Sequence, residues 1–157
     1  MESVRLQEWI GKFITKKNSR INHWLVSKLL EVREGSVTCQ FQVTEEMLNL
    51  NGTLHGGIAS AMMDDLMGLT IFSLGETNFF ASVSLDVRFF RPVELGEKIL
   101  AKSKVIRRGR RLINIECELI RDDGKLAAKC LSDMLRTENP LTADLFVPVE
   151  NIENLHF

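Results

Sequence analysis

Asn49-Leu-Asn-Gly-Thr-Leu-His-Gly-Gly57 runs without a break into Ile58-Ala-Ser-Ala-Met-Met-Asp-Asp-Leu-Met-Gly-Leu-Thr-Ile-Phe-Ser-Leu74. The second stretch reads as one long helix from about Gly56 to Leu74, stopped by Gly75. It is apolar on nearly every side, so it must be buried, and the chain on either side supplies the cover. Before it, Val37, Cys39, Phe41 and Val43 alternate with polar residues, and Trp24 to Val32 reads as a partner strand across the Glu34-Gly35 turn. A short turn or helix spans about Thr44 to Leu48. After it come four strands: Ala81 to Phe89, Ile99 to Ile106, Leu112 to Arg121 and Lys125 to Arg136. Half-polar alternation predicts antiparallel strands with one covered face. The fold expected is α+β, a curved antiparallel sheet wrapped around one central helix.

Val4, Leu6, Trp9, Ile10, Phe13 and Ile14 recur at helical spacing, which predicts an amphipathic N-terminal helix ending near Lys17. The tail after Asn139 is less regular, and Phe146, Val147, Ile152 and Phe157 are expected to pack on the surface. One domain over residues 1–157, with its core at about 24–137, accommodates all of this. Twenty Lys and Arg face 21 Asp and Glu, and a net charge of −1 argues against a dedicated nucleic-acid binder. The N-terminal charges exclude a signal peptide, and the aspartates in the long helix exclude a membrane span. Cys39, Cys117 and Cys130 lie apart on predicted strands, as buried free thiols would, which points to a reducing, cytoplasmic compartment.

The chemistry concentrates where the helix begins. Glycines beside a histidine at a helix start leave backbone N–H groups open to an oxygen gaining negative charge. Asp64, within an apolar helix, is a carboxylate that must be paired or used. Its neighbours Met62, Met63, Leu66 and Met67 give it an apolar setting that suits a base. Asp65, about 100° further round, reads as a structural or interface partner, for instance of an arginine. His55 and Asp64 are about 900° of rotation and about 13 Å of rise apart, so one chain cannot easily bring both to one atom. A two-fold dimer that sets two such helices side by side can. Asn49 fits a turn or an orienting role, and Ser84 is one polar residue on a polar strand face. Arg107-Arg108-Gly109-Arg110-Arg111 occupies a hairpin turn, as solvated charges or as a clamp for phosphates. No His, Asp or Glu spacing suggests a metal.

Asn49-x5-His55-Gly56-Gly57-x6-Asp64, followed by Ser84-Leu-Asp86 and Pro92-x2-Leu-Gly-Glu97, resembles the hotdog-fold acyl-CoA thioesterases of the 4-hydroxybenzoyl-CoA thioesterase superfamily, in the group related to phenylacetyl-CoA thioesterase. The resemblance extends by element order over about Trp24 to Thr137. It implies hydrolysis of an acyl-CoA, with no cofactor beyond the coenzyme A of the substrate. It also implies a homodimer, assembling to a tetramer, with composite sites at the subunit interface. In that setting the Gly57 N–H would stabilise the oxyanion, with His55 and Gly56 at the carbonyl. Asp64 would be general base or nucleophile, Asn49 would orient water or substrate, and Ser84 would hold the water or Asp64. Arg107, Arg108, Arg110 and Arg111 would meet the coenzyme A phosphates. A hotdog hydratase or dehydratase uses different local motifs. A non-catalytic acyl-CoA sensor would need a fused DNA-binding segment, for which the N-terminal residues are too few.

Overall fold

The computed structural model describes residues 2–17 and 20–150. Its centre is the expected helix, α3 (Gly56–Ser73), with Leu74 as C-cap and Gly75 at a φ of +69°. That left-handed turn is why glycine follows the helix. Around it the chain forms α1 (Glu2–Gln7), β1 (Phe13–Lys16), α2 (Asn22–Leu25), β2 (Ser27–Arg33), β3 (Ser36–Gln42), β4 (Asn78–Ser82), β5 (Asp86–Phe89), β6 (Lys98–Arg108), β7 (Leu112–Ile120), β8 (Leu126–Pro140) and β9 (Phe146–Pro148). A single 3-10 turn, Glu45–Met47, precedes the motif loop.

The strands make one antiparallel sheet in the order β4-β8-β7-β6-β3-β2-β1-β9, with β5 also pairing β8, further along the strand from β4. Inward positions of β3, β6 and β7 alternate strictly: Cys39, Phe41, Ile99, Ala101, Ile113, Ile115, Cys117 and Leu119 are all buried. Helix α3 lies against these strands with Met62, Met63, Leu66, Met67 and Leu69 buried in the same core. Cys39, Cys117 and Cys130 are buried free thiols, as the sequence suggested. Ser103, Cys117 and Cys130 stand in one cross-strand row, and their small volume gives the helix room inside the curl.

Four expectations need correction. The N-terminal helix stops at Gln7, because Gly11 (φ +86°) turns the chain and its N–H bonds to Leu29 O at 2.8 Å. Phe13–Lys16 is therefore a strand, paired with β2 through Phe13↔Lys28 and Ile14↔Ser27. The apolar residues Leu6, Trp9 and Ile14 are buried all the same, so their spacing serves a short helix, a turn and a strand rather than one helix face. Residues Asn22–Leu25 form a short helix, and the strand expected from Trp24 starts at Ser27. The expected strand Ala81 to Phe89 is broken at Val83 to Leu85 into β4 and β5, both held by β8. The tail does more than cover the surface: β9 pairs with β1, and Phe146 is buried against Phe72. Ile152 and Phe157 lie outside the described residues.

Candidate active site

The loop before α3 is organised by Asn49. Its Oδ1 accepts from the N–H groups of Asn51 (2.9 Å) and Thr53 (3.2 Å), and its Nδ2 donates to Thr53 Oγ1 (3.1 Å). These bonds are those of a turn-forming asparagine, while the residue also lines a cavity of about 350 Å³ shared with Gly56, Ala59 and Phe89. Held in this way, the loop delivers His55 to the N-cap of α3, its N–H bonded to Met47 O at 2.8 Å. His55 Nδ1 accepts from the Gly57 N–H at 2.9 Å. An accepting Nδ1 leaves the proton on Nε2, so the ring presents an N–H donor outward.

This cap changes the reading of the two glycines. The Gly57 amide expected to meet an oxyanion is occupied by its own histidine. Among the described residues the Gly56 N–H has no hydrogen-bond partner, and Gly56 lines the cavity with Asn49. A side chain on either glycine would be a tight fit that makes its neighbour give way. A Cβ on Gly56 would sit 3.2 Å from the Phe89 ring, and one on Gly57 would sit 3.0 Å from His55 Nδ1.

Asp64 and Asp65 part company as the helix geometry requires. Asp64 is half-buried on the face away from Met62, Met63 and Met67, and its Oδ1 accepts from Ser82 Oγ at 2.6 Å. It opens on a second cavity of about 300 Å³. Asp65 turns inward and meets the Lys16 ammonium at 2.5 Å, a lysine where the sequence suggested an arginine. Burial pushes the Asp65 carboxyl above its ordinary value, Lys16 pulls it back, and the neighbouring charge of Asp64 pushes it further up. The two cavities share no lining residue, and Gly56 and Asp64 lie about 12 Å apart along the axis.

Ser84 does not hold Asp64 within the chain. Its Oγ accepts from the Asp133 N–H (2.9 Å) and its carbonyl from Ser132 Oγ (2.8 Å), which pins the break between β4 and β5 to β8. The hydroxyl on Asp64 comes from Ser82, on the same alternating stretch. Ser82 and Lys16 are the residues that sequence reasoning missed. Polar alternation flagged the strand face but could not choose between two serines, and nothing local links Lys16 to α3.

Of the basic turn, Arg108 is committed to Glu76 (2.7 Å) and Glu34 (3.3 Å), while Arg110 and Arg111 border an open hollow with Arg136. The turn sits by Glu76, beyond the C-terminal end of α3, so about 27 Å of helix separates it from Gly56 of the same chain. Among the described residues no group of three or more His, Cys, Asp or Glu could hold a metal, and no helix is long and apolar enough to cross a membrane.

Residues 51–128 match the thioesterase superfamily. A proposed esterase of Saccharolobus solfataricus is 30% identical over 127 residues, 80% of this chain and 90% of that one. Acyl-coenzyme A thioesterase 13 of Homo sapiens is 29% identical over 102 residues, 64% of this chain and 73% of that one. The fold superposes on the Escherichia coli PaaI protein of the phenylacetic acid degradation operon with a TM-score of 0.74 (19% identity, 90% and 94% of the two chains). It also superposes on a Streptococcus mutans protein bound to acetyl-CoA with a TM-score of 0.68 (20% identity, 71% and 88%). The chain belongs to the thioesterase superfamily, a family of thioester hydrolases, and has its hotdog fold.

Proposed function

We propose that the protein hydrolyses an acyl-CoA thioester to the free acid and coenzyme A, in a site assembled from two copies of the chain. The observation that carries the reading is the division of the machinery. The open Gly56 amide and the Asp64–Ser82 pair face different cavities of one chain, so neither cavity is a complete site. The surface between them suits a second copy. Gly57, Ala61, Asp64 and Gly68 form an outward stripe of small residues on α3 that a second helix can approach closely. Beside it, the unpaired edge at β4 and β5 exposes Val83, Leu85, Phe89 and Phe90, an apolar strip suited to burial. The acyl-CoA thioesterase relative and the acetyl-CoA-bound structure support the substrate class.

In this reading the thioester carbonyl lies against the Gly56 N–H, where the helix start stabilises the oxyanion, with His55 Nε2–H as a second donor. Asp64 of the other copy either takes a proton from the attacking water or attacks the carbonyl to form an anhydride that water then opens. Ser82 fixes the carboxylate through its 2.6 Å hydrogen bond. Coenzyme A leaves as the thiol. Its phosphates are within reach of Arg110 and Arg111 only across the subunit boundary, while Arg108 is held by its carboxylates. Buried free thiols accord with a reducing, cytoplasmic setting.

The test is thiol release from acyl-CoAs by wild type and Asp64→Ala, with light scattering to read dimer or tetramer. The mutant should stay assembled and lose turnover by at least about a thousandfold. Gly56→Val should be inactive as well, and an equal mixture of the two variants after subunit exchange should recover about a quarter of wild-type activity. No recovery despite proven exchange would refute the shared site, and full turnover by Asp64→Ala would refute the mechanism.

A further inference from the structure

Helix α3, the edge strand and the segment after β8 line the cavity of about 300 Å³ that includes Asp64 and Ser82, taken as its mouth. Gly68 and Ile71 continue the same helix face, so the cavity runs about 10 Å along the axis from Asp64. Beyond the mouth the walls are apolar, with Ile71, Phe80 and Met134 on the core side. The far wall is different in origin. It runs from Leu141, bonded to Thr77 beyond the end of α3, through Leu145 to Phe146 beside Lys16, and like Met134 it lies past the family-matched residues 51–128.

That far wall is tied down as a strap. The Leu141 N–H donates to Thr77 O (2.9 Å), and Leu145 O accepts from the Lys17 N–H (2.8 Å). Arg5 donates to Ala143 O (2.8 Å), and Lys17 pairs with Asp144 at 2.5 Å. Strand β9 then pairs with β1 through Lys16↔Phe146 and Ile14↔Pro148. Phe146 is 1% exposed and packs edge-on against Phe72, ring centroids 5.7 Å apart. Lys16 borders the same cavity, but its ammonium is drawn to Asp65. A wall anchored at six places does not yield readily to a longer occupant.

Resting on the thioesterase reading, we propose that this cavity holds the acyl group of the substrate and that the strap Leu141–Phe146 limits its length to a medium chain. The acyl carbon must sit beside Asp64, so the chain has only the axial run from Asp64 to Ile71 before it meets the strap. About 10 Å of extended tetrahedral carbons is roughly eight carbons. The volume agrees, since a cavity of about 150 Å³ already holds benzene and this one is about twice that. A palmitoyl chain, about twice the axial length, does not fit behind the strap.

The experiment is a series of saturated acyl-CoAs from butyryl to palmitoyl, with kcat and KM measured at each length for wild type, Leu145→Ala and Leu145→Trp. In wild type, KM should fall about fourfold per added methylene until the chain reaches the strap, near octanoyl. Beyond that, kcat/KM should fall at least about tenfold by palmitoyl. Leu145→Ala should move the optimum to longer chains and Leu145→Trp to shorter ones, with the change carried by KM. Leu141→Ala and Leu141→Phe read the same wall if either Leu145 variant melts early. An optimum at palmitoyl, or one that no folded strap variant moves, overturns the strap proposal while leaving a thioesterase. Absence of thiol release from every length by wild type overturns the thioesterase reading and this proposal with it.

Discussion

Lys16→Met isolates the one buried carboxylate among the described residues. The Asp65 side chain is 10% exposed and that of Lys16 28%, so the pair is mostly withdrawn from water. Removing one partner of a buried ion pair typically costs about 3–5 kcal/mol, because the other charge is left uncompensated. Allowing for the partial exposure of Lys16, the expected loss is about 2–4 kcal/mol at neutral pH. For a chain of this size that lowers the melting temperature by about 5–15 °C. The loss should depend on pH with a defined sign. Burial holds the Asp65 carboxyl above its ordinary value, so the native state binds more protons than the unfolded chain between the unfolded and folded pKa values. Stability therefore falls as pH rises through that window. Lys16 pulls the folded value down, so its removal extends the window upward. The penalty should be largest near pH 8 and shrink towards about pH 5. The assay is urea and thermal unfolding at fixed protein concentration across that range, with Lys16→Met/Asp65→Asn alongside. The double variant should recover to within about 1 kcal/mol of wild type. A single variant as stable as wild type at high pH, or a double variant no better than the single, would refute the reasoning.

Gly56→Ala should lower kcat/KM about tenfold or more, because the added Cβ meets the Phe89 ring at the open amide. Phe89 is exposed and can move, so the melting temperature should hold, and adding Phe89→Ala should restore part of the rate. Ser82→Ala should reduce kcat about tenfold through loss of a hydrogen bond to a carboxylate, whereas Ser84→Ala should leave kcat alone and cost about 1 kcal/mol of stability. Burial pushes the Cys39 thiol up to about 12 and the Cys130 thiol up to about 11, so a thiol-reactive dye at about pH 8 should label neither in the native protein. Rapid native labelling would show that the core is open; unfolding should release all three thiols.

Some of this was legible in the sequence because the physics is local. An apolar helix closed by Gly75, and strands whose inward residues alternate as Ile113, Ile115, Cys117 and Leu119 do, need no tertiary knowledge to read. The N-terminal stretch is deceptive because Leu6, Trp9 and Ile14 sit on a short helix, a turn and a strand with a spacing that also fits one long helix. Only the positive φ of Gly11 separates the two. The site divides in the same way. His55-Gly-Gly and Asp64 stand out as residue types at a helix start and in an apolar face. Which glycine amide is open depends on the His55 ring turning back to cap Gly57, and which serine meets Asp64 depends on the break at Val83 to Leu85. Both are settled by side-chain geometry and sheet pairing that no spacing encodes.

The neighbouring aspartates show how the chain ends bear on the centre. A single helical step of about 100° sends Asp64 outward to Ser82 and Asp65 inward to Lys16, yet the two charges remain close enough to repel. Two carboxylates in adjacent positions are tolerable here because β1 brings an ammonium to the buried one. Strand β1 also holds β9, and β9 fixes Phe146 and Leu145 in the wall of the cavity that Asp64 lines. One strand pair, outside the family-matched residues, thus balances the charge beside the proposed base and supplies part of the wall of its cavity. A change in the β1–β9 pairing should therefore alter both acyl-length preference and the pH dependence of stability, whereas a change at Ser82 should alter neither.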